Sequence, residues 1–181
     1  MIYLNTSVLL AFTLTRETEP ARFTATSQLF ARIKAGSVKA VTLFYALHEL
    51  LIIAISNTEP DWETGSEFAR QALLAILQTP LLYLPLSRRE DKLIQARRFS
   101  KLRDATDLSH AVAAYVAGCS AIVAYDDHFQ AIADGSPTRR LKRSWPNLPG
   151  ELMASRKIAS FRRRAMQHSS APINLANQQQ S

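Results

Sequence analysis

Short apolar stretches along the chain alternate with longer segments whose apolar residues recur every three to four positions. The short stretches are rich in β-branched or aromatic residues, and they predict buried strands at residues 2–4, 38–42, 81–85 and 121–125. The longer segments predict helices at residues 6–13, 21–35, 43–56, 64–78, 88–100 and 104–117, with a turn-rich break over 57–66. Because strands separated by helices require crossover connections, this alternation predicts an α/β fold around a short parallel sheet.

The alternating pattern loosens after Phe129. Residues 137–150 hold three prolines and a basic cluster, which is typical of a linker, and residues 150–166 can form a basic amphipathic helix. The last residues are polar, and we expect them to be disordered. The sequence therefore predicts a folded domain over residues 1–138 and a C-terminal extension over residues 139–181 that is partly helical and then disordered.

Length and composition exclude several classes of protein. The 181 residues suit one domain, and an apolar content of 47% is enough to form a core. No apolar run approaches the ~20 residues that span a bilayer, and no basic segment precedes the first apolar stretch. The single cysteine, Cys119, excludes an internal disulfide and a multi-cysteine zinc site. We therefore expect a cytoplasmic protein that does not enter a membrane.

The net charge of +7 is concentrated in the C-terminal extension. Residues 1–138 carry 13 Lys and Arg against 14 Asp and Glu, whereas residues 139–181 carry nine against one. Such asymmetry marks a candidate arm for phosphates or for an acidic partner, and a solvated charged face is an equally good interpretation. The candidate nucleic-acid-binding residues are Arg139, Arg140, Lys142 and Arg143.

Acidic and amide side chains follow the predicted strands or begin the predicted helices. Asn5 follows the first strand and Asp126 the fourth, while Glu49 lies in an otherwise apolar helix. Asp104 begins the last predicted helix, with Asp107 one turn further on the same side. Ligands of open α/β sheets bind beyond the carboxyl ends of the strands, so polar groups at these positions are the candidates for chemistry. Clustered carboxylates repel one another unless a cation neutralises them, and hard oxygen ligands suit Mg²⁺ or Mn²⁺ acting on a phosphodiester.

The segments that carry these residues resemble the motifs of the PIN-domain ribonucleases. The first motif of that family is similar to MIYLNTSVLLA, the second to VTLFYALHELL, and the third and fourth to RDATDLSHAVAAYVAGCSAIVAYDDHF. The resemblance covers residues 1 to about 135, and it is closest to the VapC-type toxins of bacterial type II toxin–antitoxin systems. It implies a three-layer α/β/α fold with a short central parallel sheet, a homodimer, Mg²⁺-dependent endoribonuclease activity on RNA, and an antitoxin protein that blocks the active site.

The same resemblance assigns roles to the candidate residues. The implied metal-site residues are Asn5, Glu49, Asp104 and Asp126, and the implied catalytic residues are Glu49, Asp104 and Asp126. Asp107 and Ser7 are auxiliary residues, and Mn²⁺ is an alternative to Mg²⁺. Asn5 stands where the family has an aspartate, which removes one negative charge with little change of shape. We therefore expect weakened metal binding and a weakened or inactive enzyme.

Each assignment has a structural alternative. Asn5 and Asp104 are also good helix caps, and Glu49 is also explained as an exposed helical residue or as half of a buried ion pair. Asp127, next to the last motif aspartate, is expected to be a surface residue. Structural hydrogen-bonding roles are expected for His48, His110 and His128.

Two other functions fit the sequence. A non-catalytic PIN-like module that binds RNA or an antitoxin is favoured by Asn5 and by the basic extension. A nuclease of the same fold that acts on DNA is the other, because fold and metal site do not select the nucleic acid.

Overall fold

The computed structural model describes residues 1–58 and 61–132. Its strands are Ile2–Leu4 (β1), Ala40–Leu43 (β2), Leu82–Leu84 (β3) and Ala121–Val123 (β4). The helices of the described part are Thr6–Thr13 (α1), Pro20–Lys34 (α2), Phe44–Ser56 (α3), Trp62–Leu77 (α4), Arg89–Ala96 (α5) and Ala105–Val116 (α6), with 3-10 segments at Arg97–Phe99 and Asp127–Ile132. The expected linker, basic helix and tail lie outside the described residues.

The sheet has its strands in the order β3–β2–β1–β4, and every pair is parallel. The chain proceeds from β1 outward to β2 and β3, and α6 then leads it to the opposite side of β1, where β4 pairs in register from Ile2 with Ala121 to Leu4 with Val123. The direction of the connections therefore reverses between β1 and β4. In sheets of this kind, the crevice beyond the carboxyl ends of two such strands is the place for ligands.

Helices cover both faces of this sheet. Leu4 belongs to one apolar cluster and its neighbour Tyr3 to another, because successive side chains of a strand point to opposite faces. The first cluster joins α1, α2, α3 and α4 through residues that include Leu9, Phe30, Leu50 and Ile76. The second cluster packs α6 on the other face and includes Val41, Val112, Ile122 and Phe129. The predicted three-layer α/β/α arrangement is confirmed, and none of the described helices is long and apolar enough to cross a membrane.

Two helix boundaries differ from those predicted. Helix α4 begins at Trp62, inside the expected break over 57–66, because Asp61 accepts a hydrogen bond from Thr64 N at 3.1 Å and caps the helix. Helix α5 ends at Ala96 and continues only as a 3-10 turn, whereas the pattern predicts a helix to residue 100. None of the side chains of α5 is buried, so little packing is available to extend it.

Candidate active site

Two loops meet beyond the carboxyl ends of β1 and β4. The backbone N–H of Asn5 donates to the carbonyl of Val123 across 3.0 Å. Two residues further along each segment, the backbone N–H of Tyr125 donates to Ser7 Oγ, also at 3.0 Å. These bonds hold Asn5 and Ser7 beside the segment that carries Asp126.

Asn5 is both a helix cap and a buried polar residue. Its Oδ1 accepts hydrogen bonds from the backbone N–H and from Oγ of Ser7, at 3.0 and 3.1 Å, so Asn5 does cap α1, as the structural alternative held. The residue is 2% exposed, and among the described residues its Nδ2 has no hydrogen-bond partner. A buried donor without a partner is costly. Position 5 therefore suits a second carboxylate oxygen facing a cation better than the amide nitrogen that it carries.

Glu49 is joined to other buried side chains by hydrogen bonds. Its Oε2 accepts one from Thr6 Oγ1 and lies 3.0 Å from His110 Nε2. The other ring nitrogen of His110, Nδ1, lies 2.6 Å from the hydroxyl of Tyr3. These partners explain how a carboxylate is accommodated in the apolar helix α3, where a buried polar group needs hydrogen-bond partners. The expected hydrogen-bonded structural role of His110 is confirmed.

Asp104, Asp107 and His128 form a group that is able to hold a metal ion. One oxygen or nitrogen atom of each residue lies within 4.8 Å of those of the other two. Asp104 caps α6 by accepting hydrogen bonds from N and Oγ1 of Thr106, at 2.8 and 2.6 Å. Asp107 is fully buried, and its Oδ2 lies 2.7 Å from His128 Nδ1. Two carboxylates and an imidazole, all of them ligands of divalent metals, thus meet at the N-terminal end of α6.

Asp126 follows β4 and is half-buried, next to Tyr125. Burial raises the pKa of the Tyr125 phenol to about 12, against a smaller opposing effect of the Arg22 guanidinium, which lies 4.9 Å from the centre of the ring. Tyr125 is therefore neutral at ordinary pH, and its contacts with Arg22 and Ser7 fix the chain beside Asp126. The side chain of Asp127 lies outside the described part, so its expected surface position stays a prediction.

The hydrogen bonds bring these groups to one edge of the sheet. His128 follows β4 and contacts Asp107, so α6 begins at the carboxyl ends of the strands. Asp107 lies one turn before His110 on α6, ~4.5 Å along its axis. Asn5 lies two residues beyond Tyr3, roughly 7 Å towards the same edge. Because Tyr3 contacts His110, Asn5 and Asp107 both lie on the side of this contact that faces the carboxyl ends of the strands.

Sequence reasoning missed His128 as a candidate ligand. The residue is hydrogen-bonded, as expected, and it also belongs to the group with Asp104 and Asp107. The available signal was its position two residues after Asp126, at the predicted ligand-binding edge. The basic candidates at positions 139–143 lie outside the described residues.

Residues 88–103 form a second basic segment, which directly precedes Asp104 and which the charge pattern of the whole chain did not reveal. Its basic residues are Arg88, Arg89, Lys92, Arg97, Arg98, Lys101 and Arg103, and its acidic residues are Glu90 and Asp91. All of these basic side chains are exposed except Lys92, which is half-buried. Lys92 Nζ donates to Ser109 Oγ at 3.2 Å and so ties α5 to α6. Arg103 therefore stands next to the acidic group in the sequence, whereas the guanidinium of Arg98 lies over the ring of Tyr115, in the last turn of α6.

Comparisons with known proteins identify a family and a related structure. The family described as PIN domain matches residues 2–135. None of the curated proteins gives a significant match. The crystal structure of VapC20 of Mycobacterium tuberculosis, a toxin that cleaves the sarcin–ricin loop, is similar at 15% identity with a TM-score of 0.54. The match covers 72% of this chain and 95% of that one, and at this identity it shows a shared fold.

Proposed function

Since the chain belongs to the PIN domain family, we propose that it is a Mg²⁺-dependent endoribonuclease of the VapC toxin type whose activity is weakened by Asn5. The observation that carries the proposal is the meeting of Asp104, Asp107 and His128 at the ligand-binding edge of the sheet. Two further acids support it: Glu49 contacts Thr6, the first residue of α1 after β1, and Asp126 follows β4. The fold shared with a toxin that cleaves the sarcin–ricin loop supports the same reaction class.

The donor set fits a hard divalent cation. The proposed metal-site residues are position 5, Glu49, Asp104 and Asp126, with Asp107 and Ser7 as auxiliary residues. A Mg²⁺ ion held there would offset the repulsion between the carboxylates, stabilise negative charge on the phosphate and lower the pKa of the attacking water. Mn²⁺ is an alternative ion, because carboxylate, carbonyl and water ligands suit both ions.

Within the chain itself, hydrogen bonds orient the proposed ligands before anything binds. Thr106 fixes Asp104 through two donors, and Thr6 fixes Glu49 through one. Ser7 links the loop that holds Asn5 to the segment before Asp126. Groups held in this way need little reorganisation when charge develops in the transition state.

The basic segment over residues 88–103 supports RNA as the substrate. Its exposed arginines and lysines end at Arg103, immediately before the cap residue Asp104. A positive surface beside a negatively charged site attracts a polyanion and offsets its repulsion from the carboxylates. We propose that this segment binds the phosphates that flank the bond to be cut. The extension over residues 139–181 is proposed as a second basic arm.

The double substitution Arg97→Gln with Lys101→Gln tests the RNA-binding surface. We expect RNA binding to weaken, and the slope of log K against log salt to become shallower by about 1.4, since each phosphate contact with a single strand contributes about 0.7. The pair Lys34→Gln with Lys39→Gln removes the same charge from exposed positions outside the segment. Filter binding over a salt series measures both. Equal salt-dependence slopes for the two double variants would show that RNA does not bind at Arg97 and Lys101.

The affinity for Mn²⁺ tests whether position 5 belongs to the metal site. We expect weak Mn²⁺ binding by the chain as it stands and at least about tenfold tighter binding by the Asn5→Asp protein, because a carboxylate near the ion contributes more than about 1.4 kcal/mol at this buried position. Asn57→Asp adds the same charge at an exposed residue at the far end of α3 and should change nothing. Isothermal titration calorimetry compares the three proteins. Equal affinity in all of them would remove position 5 from the site.

We further propose two protein partners, an antitoxin and a second copy of the chain, and a cytoplasmic location. Large apolar side chains exposed on α3 and α4 support protein contacts, since such groups favour burial. They are Phe44, Ile52, Trp62, Phe68, Leu74 and Leu77.

A second candidate function is a non-catalytic module that binds RNA or an antitoxin. Asn5 is the observation that favours it, because its oxygen already accepts two hydrogen bonds from Ser7 and its remaining atom is a donor. Cleavage by the restored Asn5→Asp protein separates the two functions.

A further inference from the structure

A chain of buried hydrogen bonds crosses the fold and ends on Glu49. The hydroxyl of Tyr3 lies 2.6 Å from His110 Nδ1, and His110 Nε2 lies 3.0 Å from Glu49 Oε2. Tyr3 and His110 are both 0% exposed. The chain joins strand β1 and helix α6 in one apolar cluster to helix α3, whose buried side chains belong mainly to the other.

The direction of each hydrogen bond follows from the chemistry of the partners. The carboxylate of Glu49 accepts hydrogen bonds and does not donate them, so the Nε2 atom of His110 that faces it carries a proton and donates. An imidazole that has its proton on Nε2 accepts at Nδ1, and the hydroxyl of Tyr3 donates to that nitrogen. Thr6 Oγ1 donates to the same oxygen of Glu49.

Two donors from different elements on one carboxylate oxygen fix the plane of that carboxylate. The donor from Thr6 comes from α1, and the donor from His110 comes from α6. Rotation of the Glu49 side chain would break at least one of these bonds inside the core, where an unsatisfied polar group is costly. Neither Tyr3 nor His110 is at the surface, so neither is able to touch RNA.

We propose that Tyr3 and His110 are positioning residues that hold the Glu49 carboxylate in the orientation it needs to bind the divalent cation. This inference rests on the proposed function, because it assigns Glu49 to the metal site. Tyr3 selects the ring tautomer, and His110 transmits that choice to Glu49. Partners that orient a ligand in this way typically change metal affinity or activity by about 10- to 100-fold when they are removed.

The tautomer is measured without any metal. In ¹⁵N spectra of the histidine rings, we expect His110 to carry its proton on Nε2, with Nδ1 as an acceptor. Tyr3→Phe keeps the ring and removes the hydroxyl, so the preference for Nε2–H should decrease. A proton on Nδ1 of His110 in the unsubstituted chain would overturn the proposal, whether or not the protein binds metal.

Mn²⁺ affinity tests the consequence, with free Mn²⁺ followed by electron paramagnetic resonance in the Asn5→Asp protein. We expect Tyr3→Phe to weaken binding about tenfold and His110→Leu more strongly. His110→Gln keeps a donor near the place of Nε2 and should recover much of the affinity. Tyr83→Phe is the matched control, because it removes a hydroxyl that bonds to the carbonyl of Ile76 at 3.0 Å, away from Glu49.

Thermal unfolding in EDTA separates positioning from stability. The variants are compared at a temperature at which each is folded, so that a loss of Mn²⁺ affinity reflects the site. Unchanged affinity in Tyr3→Phe and His110→Leu, together with a loss in Glu49→Gln, would overturn the positioning role and leave the proposed function intact. Unchanged affinity in Glu49→Gln would instead remove Glu49 from the metal site and overturn the positioning role with it.

Discussion

Replacement of Asn5 by aspartate is expected to raise the rate of RNA cleavage by on the order of a hundredfold at a fixed Mg²⁺ concentration. The Oδ1 atom of Asn5 caps α1. Its Nδ2 atom is buried and has no hydrogen-bond partner among the described residues. An aspartate keeps the capping oxygen and adds a second oxygen with negative charge. A cation is then held closer to its productive position, and displacement by ~1 Å is enough to cost about a hundredfold in rate.

Initial rates on a mixed RNA pool measure this effect, and Asn57→Asp is the control for an added charge. Asn57 is exposed and caps the C-terminal end of α3. Its substitution should leave the rate unchanged. If the unsubstituted chain cuts as fast as the Asn5→Asp protein, position 5 does not hold the ion.

Asp104→Asn, introduced into the Asn5→Asp protein, is expected to lower cleavage by at least on the order of a hundredfold. Asparagine is as good a helix cap as aspartate, so the hydrogen bonds from Thr106 and the start of α6 should persist. The substitution therefore removes the charge and retains the fold. Circular dichroism and thermal unfolding confirm that α6 is intact.

Asp61→Asn is the matched control for the loss of charge. Asp61 caps α4 at the surface, and hydrogen bonds from Thr64 hold its pKa below the ordinary value, so it is charged at neutral pH. The same exchange of a capping aspartate for asparagine there should leave cleavage unchanged. A folded Asp104→Asn variant with full activity would show that Asp104 contributes only as a cap.

Most of the fold follows from local patterns. The four strands and six helices lie within about two residues of their predicted bounds at most ends, because apolar alternation and helical spacing are properties of short segments. The exceptions have local causes as well. Asp61 starts α4 early, and α5 stops early because none of its side chains is buried.

The site is only partly visible in the sequence. The motif residues Glu49 and Asp104 stand out as acids in unusual places, but their partners come from distant parts of the chain. Tyr3 and His110 are 107 residues apart, and Asp107 and His128 are 21 apart. No local pattern encodes such contacts, since they depend on how α6 packs against β1 and on where the chain goes after β4. For this reason the contact of His128 with Asp107 and the contact of His110 with Glu49 became apparent only in the structure.

Metal-dependent cleavage by the Asn5→Asp protein tests the central claim most directly. The restored protein is incubated with a mixed RNA pool, and with single-stranded DNA of the same sequences, in Mg²⁺, in Mn²⁺ and in EDTA. We expect internal cleavage of RNA with either ion and none in EDTA. Cleavage of DNA without cleavage of RNA would show that the substrate is DNA. An inert restored protein in every condition, or cleavage at full rate in EDTA, would contradict the claim that this chain is a metal-dependent ribonuclease.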